Sequence, residues 1–122
     1  MKKLIEFNRN FQIYSYSASH GALLLRSPKS DSRSTRVDVL FTDVRLIAMR
    51  AFLSKLLIEE GDISDVEEHD AKRFPNLEHG HKIFLITGGE WTGYIIGGSV
   101  QWHEDQGQYG QPSVFDCSKG VI

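Results

Sequence analysis

Apolar and polar positions alternate with the period of a β-strand through much of the chain. In Phe11-Gln12-Ile13-Tyr14-Ser15-Tyr16-Ser17, aromatic and β-branched residues interleave with small polar ones. Ala22-Leu23-Leu24-Leu25-Arg26 is a continuous apolar run, the pattern of a strand buried on both faces. Arg36-Val37-Asp38-Val39-Leu40-Phe41 places Val37, Val39 and Phe41 on one side and Arg36 and Asp38 on a face expected to be wet. Val44 to Met49 continues as a further strand. At Phe52, Leu53, Leu56 and Leu57 the spacing becomes i, i+1, i+4 and i+5, which predicts one short helix over residues 50–57.

The segment Lys82 to His103 is the best specified. It holds Gly-Gly pairs at 88–89 and 97–98, each flanked by strand-forming residues. Read as two-residue hairpin turns, they pair Ile86 with Trp91, Phe84 with Gly93, Ile95 with Val100 and Gly93 with Trp102. One face then carries Phe84, Ile86, Trp91, Ile95, Val100 and Trp102. The other, half-polar face carries Thr87, Glu90, Thr92, Tyr94, Gln101 and His103, together with Ile83, Leu85 and Ile96. In this register Gly93 lies between Phe84 and Trp102, where a side chain would crowd two large rings. Residues 105–122 are expected to be mostly irregular. The fold expected is mainly β (all-β or α+β): an antiparallel meander of about seven or eight strands forming a rolled sheet or sandwich, with one short helix.

Length and composition fit that reading. The 122 residues suit a single domain over 1–122, with 40% hydrophobic and 25% charged residues, and its seven Phe, four Tyr and two Trp favour sheet. Cys117 is the only cysteine, so neither an internal disulfide nor a multi-thiolate zinc site can form. Glu6, Asn8, Arg9 and Asn10 break any apolar run behind Lys2 and Lys3, so neither a signal peptide nor a membrane association is expected. The expected location is cytoplasmic.

The net charge of -2 conceals a split. Residues 1–55 carry ten Lys and Arg against four acids, and the remainder carries four against twelve. The acids concentrate at Glu59, Glu60, Asp62, Asp65, Glu67, Glu68 and Asp70. Two surfaces of opposite sign would steer a charged protein partner or head-to-tail pairing of identical copies. Nucleic acid, drawn to Arg26, Lys29, Arg33, Arg36, Arg45 and Arg50 but repelled by the acidic half, is not the expected partner.

Catalytic signals are sparse. No serine sits in a nucleophile elbow, and neither Gly-Gly pair is followed by the lysine and helix of a phosphate-binding loop. His79 and His81, at i and i+2, are the one ligand-like pair, with His69, Asp70, Glu78, His103 or Glu104 as third-ligand candidates. No carboxylate follows on the same strand before Glu90, so no metal and no cofactor is expected. The expected function is a non-enzymatic protein-binding or self-associating module, with Glu67, Glu68, Tyr94, Gln101 and His103 as candidate binding residues. The alternative is a small metal-dependent enzyme using His79 and His81.

Overall fold

A computed structural model of the chain describes residues 2–66 and 80–115. Among them are ten strands: β1 (Lys2–Phe7), β2 (Phe11–Ser17), β3 (Ala22–Ser27), β4 (Arg36–Thr42), β5 (Leu46–Ala48), β6 (Phe52–Leu53), β7 (Leu56–Gly61), β8 (Lys82–Thr87), β9 (Thr92–Gly97) and β10 (Ser99–Asp105). They form two antiparallel five-stranded sheets, ordered β1-β7-β8-β9-β5 and β10-β4-β3-β2-β6, which we call sheets A and B. The sheets face each other across one core. Leu23, Leu25, Val37, Val39 and Phe41 of sheet B meet Ile5, Leu56, Ile58, Phe84, Ile86 and Ile95 of sheet A. The Phe41 and Phe84 rings touch across the interface at 5.6 Å between centroids.

The topology has an internal two-fold logic. The half β1–β5 gives the meander β2-β3-β4 to sheet B and its flanking strands β1 and β5 to sheet A. The half β6–β10 does the reverse, giving β7-β8-β9 to sheet A and β6 and β10 to sheet B. Thus β1 pairs with β7 as β6 pairs with β2, and β5 pairs with β9 as β10 pairs with β4.

The strand periodicities of residues 11–17, 22–26, 36–41 and 82–87 all become strands. The helix expected over residues 50–57 is absent, and β6 and the start of β7 occupy that stretch. Strand alternation accounts for it: Leu53, Leu56 and Ile58 turn into the core while Phe52 and Lys55 point out. The only helical element among the described residues is a 3-10 turn at Ile63–Asp65.

Of the pairings expected over residues 82–103, that of β8 with β9 is present and that of β9 with β10 is not. The β8–β9 register is two residues away from the hairpin reading, with Ile86 opposite Gly93 and Phe84 opposite Ile95, and residues 88–91 form the connection. A two-residue shift preserves faces, which is why Phe84, Ile86 and Ile95 still share the core side. The second Gly-Gly pair is no hairpin turn. It is the point where the chain leaves sheet A, so that Val100 pairs with Phe41 and Trp102 with Val39 in sheet B. Trp102 consequently packs its edge on Phe7, with ring centroids 5.3 Å apart, and stays half exposed.

The glycines take their reasons from this geometry. The Trp91 indole lies over Gly88, where an added Cβ would meet Trp91 Cζ2 at 2.4 Å. Aromatic shielding of a glycine therefore occurs here and not between Phe84 and Trp102. A Cβ on Gly93 would instead meet the Ala48 carbonyl oxygen of β5 at 2.2 Å. That neighbour is backbone and cannot swing aside. Gly93→Val is therefore expected to destabilise the protein by about 1–3 kcal/mol or more through overpacking. Thermal unfolding measures it, and an unchanged melting temperature would contradict the β5–β9 pairing.

Candidate functional site

The outer face of sheet B carries a lattice of charges. Register sets Gln12 opposite Arg26, Arg26 opposite Asp38, and Asp38 opposite His103, one row across four strands. One step along, Arg36 stands opposite Asp105. Arg26, Arg36 and Asp38 are buried at 0%, 3% and 1% exposure, so the face read as wet from the alternation of Arg36 and Asp38 is dry. Arg26 grips Asp38 with a two-point fork, Nε to Oδ1 at 2.7 Å and Nη2 to Oδ2 at 3.1 Å. Its guanidinium lies 3.9 Å from the centre of the Tyr14 ring. Arg36 makes the matching fork to Asp105 at 3.0 and 2.9 Å.

The face is dry because residues 106–115 fold back over it as an arm. Arg26 Nη1 donates to the carbonyls of Tyr109 and Gln111. Arg36 donates to those of Gln108, Gln111 and Pro112 at 2.7, 2.8 and 3.2 Å, which occupies all its N–H groups. Gln12 donates to the Tyr109 hydroxyl, and the Tyr14 and Tyr109 rings meet edge to face. The bond to Asp105 raises the Arg36 pKa, and the same bond holds the Asp105 carboxyl below the ordinary carboxylate range. A third arginine, Arg9, binds Ser27 and the Thr35 carbonyl, and burial lowers its pKa.

Two hollows flank this lattice. Between the arm and sheet B lies a cavity of about 500 Å³ with Leu24 and Leu40 among its lining, together with Tyr14, Ser17, His20, Ser113 and Phe115. The other, of about 590 Å³, lies at β6. Phe11, Leu53 and Trp91 supply its apolar lining, and Asn10, Gln12, Arg50, Ser54 and Glu90 its polar lining. Phe52 stands beside it 70% exposed, the most exposed large hydrophobic side chain among the described residues.

No protein-family model, no curated protein and no solved structure matches this chain.

The residues singled out from the sequence are dispersed. Tyr94 is buried on the outer side of sheet A with Val66, Ile83 and Ile96, so that face is apolar at its centre rather than half-polar. Gln101 and His103 lie on β10 in sheet B, where the His103 ring meets Phe115 at 6.3 Å. Glu67 and Glu68 lie outside the described residues, as do His69, His79 and Cys117. His81 is held by Asp43, Nε2 to Oδ2 at 2.8 Å, a bond that lowers the Asp43 pKa. The basic and acidic halves of the chain meet where Lys2 and Lys3 pair in register with Glu60 and Glu59 and where Arg36 binds Asp105. Arg26–Asp38 and Arg45–Asp43 are pairs within the first half.

Sequence reasoning missed the Arg26, Asp38, Arg36 and Asp105 lattice. One signal was present: Arg26 closes an apolar run, and a charge there needs a partner on the adjacent strand.

Removing one partner of a buried ion pair leaves the other charge stranded, so Asp38→Ala should cost about 3–5 kcal/mol in chemical unfolding. The double change Arg26→Met with Asp38→Leu should recover most of that stability. It should still expose residues 106–115 to limited proteolysis, because the Tyr109 and Gln111 carbonyls lose a donor. Unchanged protease resistance in the double variant would show that Arg26 does not hold the arm.

Asp105 supplies a pH dependence whose sign is fixed. Its folded pKa is depressed, so its contribution is complete above the unfolded carboxylate value of about 3.9 and is lost as pH falls through the folded value. Acidification in that window should broaden the NMR signals of the Tyr109 and Phe115 rings. Asp105→Asn should show the loosened arm at neutral pH, and an arm equally tight in that variant would refute the assignment.

Proposed function

We propose that this chain is a non-enzymatic binding module that engages a protein partner, or a second copy of itself, through the end of the sandwich at β6. The observation that carries this reading is Phe52, 70% exposed on a two-residue edge strand, beside a hollow lined by Phe11, Leu53 and Trp91. Large aromatic anchors surrounded by polar groups make up the energetic centre of protein interfaces, and Arg50, Glu90, Ser54 and Asn10 supply such a rim. A strand of two residues offers few backbone groups, so side chains would carry the recognition here rather than strand addition.

This reading moves the expected partner contact away from the acidic stretch. Glu59 and Glu60 face Lys3 and Lys2 across the β1–β7 ladder, which leaves less net field than the sequence suggests. Cytoplasmic location and a protein rather than nucleic-acid partner remain parts of the proposal. Arg26 and Arg36, two of the six bases that nucleic acid would use, are buried and engaged.

The test is a photo-crosslinking residue at position 52, expressed in the cell of origin, with the same residue at exposed Ser32 as the control. A discrete adduct specific to position 52 is expected, and its absence there, or its equal appearance at Ser32, would refute the assignment. With the crosslinked partner purified, Phe52→Ala should weaken its binding by about 2 kcal/mol or more. The melting temperature should not fall, since the ring is on the surface.

A further inference from the structure

We propose that the cavity between sheet B and the 106–115 arm is a binding site for a small uncharged aromatic molecule bearing one or two hydrogen-bonding groups. This inference does not rest on the β6 surface and concerns the opposite flank of the charge lattice.

The cavity volume, about 500 Å³, lies within the range of small-molecule sites. Its lining is of two kinds. Leu24 and Leu40, on adjacent strands and directly paired, give an aliphatic floor. Tyr14 and Phe115 bring aromatic rings, one from the sheet and one from the arm. Edge-to-face and offset packing against such rings favours a flat apolar body. Ser15, Ser17 and Thr42 supply hydroxyls and His20 an imidazole, enough to orient one or two oxygen or nitrogen groups.

The charge of the ligand follows from the lattice next door. None of the described lining residues is Lys, Arg, Asp or Glu. The nearby guanidiniums and carboxylates are consumed by one another and by the arm carbonyls: Arg36 has no N–H left, and Asp38 accepts both limbs of the Arg26 fork. Apart from the His20 imidazole, a charged ligand would find no counter-ion among the described lining residues, so it would lose its water at a cost that a neutral one avoids.

Preformation supports the same conclusion. The floor is central sheet, and the arm is fixed by five guanidinium-to-carbonyl bonds rather than by its own packing alone. A ligand entering such a site pays little to order it, which is the condition under which a small molecule binds measurably.

The experiment is an amide NMR titration of the full chain with indole and 4-methylphenol, alongside benzoate and benzylammonium as charged analogues of similar size. Indole or 4-methylphenol should shift the Leu24, Leu40 and Ser113 amides saturably, with a Kd tighter than about 1 mM. The charged analogues should bind at least about tenfold more weakly. Ala22→Phe, which fills the cavity from β3, should abolish the shifts. If that variant does not fold, Ser17→Trp at the same wall replaces it. The proposal is overturned if neither neutral probe shifts those amides, if the charged analogues bind as well, or if a folded cavity-filling variant binds unchanged.

Discussion

Two strands change sheets at the same place, and the rest of the architecture depends on how closely they pass. Between β4 and β5 the chain leaves sheet B at Asp43, which takes φ 50°. Between β9 and β10 it leaves sheet A at Gly97 and Gly98, and the two crossings are stitched by Gly98 N to Thr42 O at 2.8 Å and Arg45 N to Ile96 O at 2.7 Å. A side chain on either glycine would meet Thr42 or Asp43 atoms at 3.1 Å. Such contacts are tight, so a larger residue at either position would have to push the two crossings apart by a few tenths of an ångström. Non-glycine residues seldom hold a left-handed conformation without compensation, and the bond from Asp43 to His81 is one available here. Because each half of the chain completes the other half's sheet, the two sheets are expected to unfold together, as small domains generally do.

The second constraint is electrostatic. A guanidinium with no exposed surface, such as that of Arg26, is tolerable only if a counter-charge stands beside it and further acceptors replace the water it has lost. The fork to Asp38 meets one requirement and the returning arm meets the other, so arm and lattice presuppose each other. No buried side-chain nitrogen or oxygen among the described residues is left without a partner. Three of the ten bases in the first half of the sequence are thus structural, while Lys2, Lys3, Arg33, Arg45, Arg50 and Lys55 remain exposed. Arg9, Arg26 and Arg36 are fasteners between strands and loops rather than a surface field.

What the sequence disclosed follows from this division between local and non-local causes. Alternation in residues 11–17, 36–41 and 82–87 is a local property of strands, and it located all three strands and the core faces of the last two; in the first, a bulge between Ile13 and Ser15 breaks the alternation. Sheet membership is not local. Gly97-Gly98 carries the composition of a hairpin turn, yet whether the next strand folds back or crosses over is decided by the free edge of β4, some sixty residues earlier in the chain. The Phe52, Leu53, Leu56 and Leu57 spacing was ambiguous for the same reason. Two short strands broken by Ser54 and Lys55 reproduce part of a helical period, and only the partners of β6 and β7 resolve it. Of the candidate binding residues, Gln101 and His103 share a strand while Tyr94 lies in the other sheet, since the crossing separates what a continuous meander would have kept together.

The contrast between the two flanks of sheet B bears most directly on function. On the arm side, the chain covers a strongly polar row with its own backbone and leaves a neutral hollow beside it. At β6, it leaves an aromatic ring in water although Leu53, next to it, is buried at 2% exposure. Folding gains almost nothing from Phe52, because the alternation that buries Leu53 necessarily turns its neighbour outward. A polar residue there would serve the fold equally well and would reduce the apolar surface offered to solvent. The protein therefore carries at β6 an apolar side chain that its own core does not use, next to a hollow whose aromatic and aliphatic walls it could share with another molecule. That surplus is a physical reason to look for the partner at this end, and to look under the arm for a ligand of smaller size.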